Sequence, residues 1–347
     1  MGRRNKNISI SLEQQAYNKL HNMLLAGEGT SKTEAKRDGS IKNKIFSFST
    51  FRTYLKQSKY FTSWIRENHA DCTTIKAAKK YVNDYLAERC NTINAIGRPL
   101  SAWTIQLEAA AINKLYGIDK SDVDRFQAPI RHRQDIVRSR EETKQDKHFS
   151  NANNADLISF CRSTGCRRNI LEKLQGKDYW TRSRMEETYA NLDTKSNLSK
   201  DENKLFNAIK DALTVFRVES DFIYHRRDKG GKDRFAPIIG DDAAAIIARM
   251  KSTPPTQKVW GKVPKNADIH SYRADYATTL YRQYARDVKC IPYDKINRGS
   301  GRPYQSEAYI CRGDYKGKKL DKSAMYKVSK ALGHNRLDVV ANNYIRN

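Results

Sequence analysis

Phe51, Tyr54, Leu55, Phe61 and Ile65 fall on one face of a helical repeat. The spacing returns in Ile75, Ala78, Val82, Tyr85 and Leu86, and again in Ile105, Ala109, Ile112 and Leu115. Only a helix places such a stripe on one side and the intervening lysines on the other. Each stripe has a start signal before it: Ser49-Thr50, Thr73-Thr74 and Ser101, whose hydroxyls suit the orphan amides of a first turn. Gly117 suits the stop of the third. Residues 49–130 are therefore expected to form a small helical domain. Upstream, Ser11 and Gln14 make a capping box for a helix carrying Ala16, Leu20, Met23 and Leu24. Beyond Gly27 the sequence is too polar to fold alone, so residues 1–48 read as a basic arm, either a flexible tail or an accessory contact to a polyanion.

The charge balance points to that polyanion. The chain has 347 residues, and 65 Lys and Arg against 39 Asp and Glu leave a formal net charge of +26. This excess exceeds what solubility requires, and nucleic acid is the first partner to consider. A membrane surface is the competitor, but no apolar stretch approaches the ~20 residues of a spanning helix, and no secretory leader is evident at the start. A cytoplasmic protein with no membrane partner is expected. The six cysteines contain no C-x-x-C pair, which argues against a zinc knuckle or a disulfide framework and for reduced thiols. Lysines 56, 59, 76, 79 and 80 line the polar faces of the first helices and suit phosphate contacts.

The stretch from 119, with Pro129 and Arg131-His132-Arg133, is polar; residues 131–150 read as a linker, Arg131 and Arg133 being placed to track a DNA backbone. A second domain is expected over 151–347. It opens with a helix from Ala155 to Arg162, turns at Gly165 and resumes through Ile170, Leu171 and Leu174. Residues 214–224 alternate like a strand. Arg234 to Ile239 make its hairpin partner, with D-K-G-G-K-D between them. Helices are expected at 241–250, 271–286, 322–332 and from about Leu337, and a further hairpin within a long insertion at 287–320. The fold class is mainly α with a small antiparallel sheet, α+β.

Chemistry-bearing residues recur through this second domain. Thr164-Gly165-Cys166-Arg167 holds one arginine, Lys229-Gly230-Gly231-Lys232-Asp233-Arg234 a hairpin lysine, and His270-Ser271-Tyr272-Arg273 a histidine and arginine three apart at a helix start. Leu332-Gly333-His334 precedes Tyr344 by a short apolar step. Guanidinium groups donate bidentately to phosphate oxygens and stay charged at working pH, which suits them to a phosphorane transition state. A tyrosine with a free pKa of about 10 becomes a nucleophile only beside groups that stabilise charge and move protons.

Arg, Lys, His-x-x-Arg, Leu-Gly-His and Tyr in that order resemble the tyrosine recombinases, or phage-type integrases, of prokaryotic mobile elements. The resemblance covers residues 150–347 and, more loosely, 50–130. It implies a core DNA-binding domain before a catalytic domain whose catalytic set is Arg167, Lys229, His270, Arg273, His334 and Tyr344. Lys232 and Arg234, with Pro237, match the hairpin pattern and would contact DNA, Lys232 also being the alternative acid. Tyr344 would attack double-stranded DNA to leave a 3′-phosphotyrosyl link and a 5′-hydroxyl, with no ATP, metal or other cofactor. Homotetramers would act on two sites through a Holliday junction, with accessory bending or excision factors as further partners and the nucleoid as the location. Two features depart from the family pattern. Ile170 stands where an acidic residue often follows the first arginine, and His334 to Tyr344 is one residue longer than usual. A type IB topoisomerase-like enzyme and a non-catalytic DNA-binding factor are the competing readings.

Overall fold

The computed structural model describes residues 10–95, 97–132, 149–228, 231–291, 307–312 and 315–346. The chain divides into two compact units, Met1–Arg131 and His132–Asn347. Both are mainly helical, and strands form a three-stranded and a two-stranded antiparallel sheet. No described helix is long and apolar enough to cross a membrane.

In the first unit α1 (Leu12–Gly27), α2 (Lys32–Arg37), α3 (Phe48–Asn68), α4 (Ile75–Ala78), α5 (Val82–Asn91) and α6 (Ala102–Tyr116) follow in order. The caps fall close to the sequence signals. Ser11, Thr74 and Ser101 accept amides at the starts of α1, α4 and α6, while Ser47 rather than Ser49 caps α3. Gln14 does not close a capping box; its amide turns along the helix to Asn18 at 2.8 Å. The expected loose arm is corrected in part, because residues 10–48 belong to the folded unit. Ala16, Leu20 and Met23 of α1 share a core with Ile45, Phe51, Ile75 and Leu115. The Ile45 amide donates to Met23 O at 2.7 Å. Burying Ile45 offsets the polarity of the segment that leads to it. A second cluster joins Phe61, Ile65, Val82, Tyr85, Leu86 and Ile112, all residues of the three expected stripes.

The second unit contains α7 (Ala155–Thr164), α8 (Arg168–Leu171), β1 (Tyr179–Thr181), α9 (Arg182–Asp193), α10 (Lys200–Val215), β2 (Asp221–Asp228) and β3 (Lys232–Pro237). It continues with α11 (Ala243–Ser252), α12 (Ile269–Tyr284), β4 (Ala308–Ile310), β5 (Lys319–Asp321), α13 (Lys322–Ala331) and α14 (Leu337–Asn343). The central sheet runs β1-β2-β3 with both faces covered. Phe222 and Tyr224 point into one apolar cluster and Ile223 into the other, as the two-residue strand period requires. The expected hairpin is present, with His225 opposite Arg234, as is the β4–β5 pairing in the insertion.

One expected strand is corrected. Residues 214–224 begin as the end of α10, whose Ala208, Ile209, Ala212 and Val215 are buried at helical spacing behind a Ser199–Glu202 capping box. Arg182 then ties the turn by donating to Phe216 O and, at 2.9 Å, to Glu219 O, and β2 starts only at Asp221. Val218, which the alternation would have paired with a core residue, is 76 % exposed. Most of the proposed linker, including Arg133, lies outside the described residues, as does Lys229.

Candidate active site

The chain brings Arg167 to the site by a helix stop. Gly165, at φ 58°, ends α7 in the left-handed region, and Arg167 then stands in extended conformation at the start of α8. A Cβ on Gly165 would lie 2.4 Å from the Tyr276 ring, so glycine is required here twice over. Arg273 arrives on the first turns of α12, which is capped by Asp268, with His270 three residues before it. His334 follows Gly333, whose φ of 67° ends the α13 turn, and Tyr344 stands immediately beyond α14.

These residues converge. Arg167 Nη2 and Arg273 Nη2 donate to the same carbonyl, Leu332 O, at 3.1 and 2.5 Å. Arg273, 1 % exposed, also donates to Gly165 O. Its guanidinium lies 5.6 Å from the centre of the Tyr344 ring, and the rings of His270 and His334 each lie 5.2 Å from that ring. Arg167, Asn169, Lys265, His270 and Arg273 line a cleft of about 560 Å³. Of the expected catalytic set, five members meet here and Lys229 lies outside the described residues.

Tyr344 is only 5 % exposed, and its neighbours on the other side are Val340, Ala341 and the α12–α13 core. The phenol is therefore sheltered in the free chain rather than displayed. α14 stops one residue short of it, and its φ of −128° is not helical. The extra residue between His334 and Tyr344 is thus accommodated by a chain that has already left the helix.

One placement differs from expectation. Arg234, expected as a DNA contact, is 7 % exposed and committed inside the protein: it donates to Ala331 O, to Asp228 at 3.1 Å and to His225 Nδ1 at 2.6 Å. Its donors face buried acceptors, the Ala331 carbonyl, the Asp228 carboxylate and the His225 ring, so it is an internal brace. Lys232 is exposed, and its ammonium donates to Asn335, next to His334, at 2.9 Å, which keeps it beside the site. Arg131, in the other unit, is exposed over the Trp103 ring at 5.5 Å, and Lys56, Lys76 and Lys79 stand exposed as expected.

Asp228 is the functional residue that the sequence reading missed. This 3 % exposed carboxylate pairs with both Arg167 and Arg234. It supplies the acidic support that Ile170, buried in the core, cannot. A β-bulge delivers it: three steps on β2 from His225 to Asp228 oppose two on β3, and Arg227 takes a φ of 46°. Without the extra residue, His225 and Asp228 would point to opposite faces; with it both face inward. The sequence signal was the Asp two residues before the hairpin glycines, but a bulge leaves no reliable trace in an alternating pattern.

The electrostatics are unbalanced. Arg167 and Arg234 share the carboxylate of Asp228, and the guanidinium of Arg273 adds a third positive charge close to both. Burial, followed by the charges of Arg234 and Arg167, pushes Arg273 down to about 9, while Tyr344 pulls it back up. Burial and then the same arginines hold His225 well below 6.5, so this histidine is neutral. An enclosed excess of positive charge is stabilised by an anion, and a phosphodiester presents the oxygen geometry that two arginines grip. No protein-family model matches the chain, and no curated protein matches it.

Proposed function

We propose that the protein is a DNA strand-transferase of the tyrosine-recombinase type. It would cleave and rejoin double-stranded DNA through a phosphotyrosyl intermediate in the cytoplasm, as part of the integration or excision of a mobile element. The observation that carries this reading is the meeting of Arg167 and Arg273 at the Leu332 carbonyl, with Tyr344 enclosed by Arg273, His270 and His334. Residues more than 170 positions apart in the sequence make that meeting, and no apolar packing need explains two arginines there.

In this reading the scissile phosphate displaces the Leu332 carbonyl as the shared acceptor of the two guanidinium groups. The Tyr344 oxygen attacks phosphorus as its proton passes to a neighbouring imidazole, and the bond to the 5′ oxygen breaks. Lys229 or Lys232, at the β2–β3 hairpin, protonates that leaving oxygen. The phosphodiester bond energy is retained in the Tyr344 ester, so the reversal, attack by a 5′-hydroxyl, rejoins a strand without ATP. Because Tyr344 is sheltered, DNA binding has to shift α14 or the His334 turn before the phosphate meets the phenol. Assembly of four copies on two duplexes would supply the partner strand.

The test uses a pool of randomised duplexes with a nick that lets the leaving fragment escape, from which SDS-resistant protein–DNA adducts are isolated and sequenced. An adduct with a defined sequence, lost in Tyr344→Phe, is expected. DNA binding without any adduct would overturn the reading in favour of a regulatory DNA-binding factor. Strand exchange between two selected duplexes separates a recombinase from a topoisomerase-like enzyme, which would only relax supercoils.

A further inference from the structure

α12 carries the site on one side and a docking stripe on another. Ser271, Asp275 and Thr278 are spaced four and three residues apart, one helical row. Arg346 lies along this row. Its Nη2 donates to Ser271 Oγ at 2.5 Å and to Ser271 O at 3.1 Å, and its Nη1 pairs with Asp275. The Thr278 hydroxyl donates to Tyr344 O at 3.1 Å and accepts the Arg346 amide at 3.0 Å. The Arg346 side chain is 13 % exposed, so these contacts are largely shielded from competing water.

α14 alone does not fix the phenol. The helix has seven residues and ends before Tyr344, leaving that residue's backbone outside the helical range. Short helices are marginal without tertiary anchoring, and the anchor here comes from beyond the nucleophile. Resting on the strand-transfer reading above, we propose that Arg346 is a positioning residue, a latch that with Thr278 registers Tyr344 against His270 and Arg273 of its own chain. The site residues His270 and Arg273 and the latch residues Ser271, Asp275 and Thr278 lie on one helix. A segment tied to that row moves with the catalytic groups as one rigid frame, which is what a reacting oxygen needs. A misplacement of about 1 Å lowers rates by roughly 10²-fold.

Asp275 makes the proposal testable without unfolding the unit. Arg162 Nε also pairs with it at 3.0 Å, so Arg346→Ala leaves the carboxylate with a partner. The experiment compares wild type, Arg346→Ala, Arg346→Lys and Thr278→Val by two readouts on the full chain. The first is hydrogen exchange of the peptide covering 337–346, and the second is the rate of adduct formation on saturating nicked duplex. Exchange in that peptide should accelerate on the order of tenfold in Arg346→Ala while α7 and α12 stay protected. The adduct rate should fall about 10²-fold at unchanged DNA affinity, and Arg346→Lys should recover part of it. Unchanged exchange in Arg346→Ala overturns the latch. Faster exchange with an unchanged adduct rate overturns the positioning role. If wild type yields no adduct on any duplex, the strand-transfer reading fails, and the exchange measurement still decides whether the latch exists.

Discussion

Each unit gathers arginine around a buried carboxylate, and the two clusters are built on opposite principles. In the first, Arg89 grips Glu108 with Nε and Nη2, both at 2.8 Å, and the Tyr85 hydroxyl adds a third donor at 3.1 Å. One cation meets one carboxylate, Glu108 is 1 % exposed, and the cluster is closed. In the second, Arg167 and Arg234 share Asp228 while Arg273 stands beside them, and the three also donate to backbone carbonyls of Gly165, Ala331 and Leu332. Carbonyl dipoles satisfy donors without cancelling charge. A closed pair is scaffold, because nothing is gained by opening it. An open cluster keeps a standing preference for an added anion; the Tyr85 hydroxyl of the closed cluster is committed to Glu108, whereas in the open one Arg273 faces the Tyr344 ring.

Removing the carboxylate from each cluster should separate them most strongly. Asp228→Asn strands the buried charge of Arg234 and is expected to destabilise by roughly 3–5 kcal/mol; Glu108→Gln strands the partly exposed Arg89 and should cost less, both read by urea unfolding. Millimolar phosphate should recover much of the loss in Asp228→Asn, where an anion fills the missing charge, and none in Glu108→Gln. Equal recovery in both would erase the distinction between closed and open clusters.

Next in size is the effect on chemistry. Arg167→Ala or Arg273→Ala should lower the adduct rate by about 10²–10³-fold each, as expected for loss of a donor to a developing oxyanion. Arg89→Ala should lower stability and leave the adduct rate of the folded fraction alone. The measurement is single-turnover cleavage at saturating DNA.

The closed cluster was partly legible from sequence and the open one only in its endpoints. Tyr85 and Leu86 belong to a regular helical stripe, so the core around Arg89 follows from periodicity alone. Arg167, Arg273, His334 and Tyr344 stood out through residue chemistry and order, and they do gather. The missed parts share a cause. Asp228 reaches the site through a bulge, and the left-handed Arg227 carries no glycine to announce it. Arg234 looked like a surface cation because a hairpin arginine usually is one; its burial depends on α13 ending beside it. α9 escaped notice because only Met185 and Leu192 are buried, too sparse a stripe to separate from loop sequence. The mistaken strand at 214–224 shows the converse, with a helix end and a turn together imitating a period of two.

Acid should affect the open cluster through His225. The folded protein keeps this imidazole neutral, pressed by burial, Arg234, Arg273, Arg167 and Lys173, with the Cys166 thiol facing Nε2 at 3.8 Å. The unfolded chain takes up a proton below about pH 6.5, and the folded chain does not. The unfolded state thus binds more protons, and stability falls as pH drops through 6.5, by at most about 1.4 kcal/mol per pH unit from this group. His225→Asn, which keeps an acceptor for Arg234, should flatten the slope between pH 6.5 and 5.5 in urea titrations. An unchanged slope would mean that this histidine does not sense the cluster.

The smallest contrast uses two glycines with nearly the same backbone. Gly117 ends α6 at φ 68° with nothing within 4 Å of an added Cβ. Gly333 sits at φ 67°, but a Cβ there would lie 2.8 Å from Arg234 Cδ and 2.9 Å from its Nε. Alanine at either position meets the left-handed penalty of roughly 1–2 kcal/mol. At Gly117 the loss should stop there. At Gly333 the neighbour is a buried arginine held by Asp228, Ala331 O and His225, so it cannot swing away and has to drag its partners with it. Gly333→Ala is therefore expected to exceed Gly117→Ala by about 1 kcal/mol in unfolding free energy. It should also slow adduct formation, because moving Arg234 moves the carboxylate that holds Arg167. Equal losses at the two glycines, with cleavage untouched, would mean that Arg234 is free to move and that the brace behind the site is not rigid.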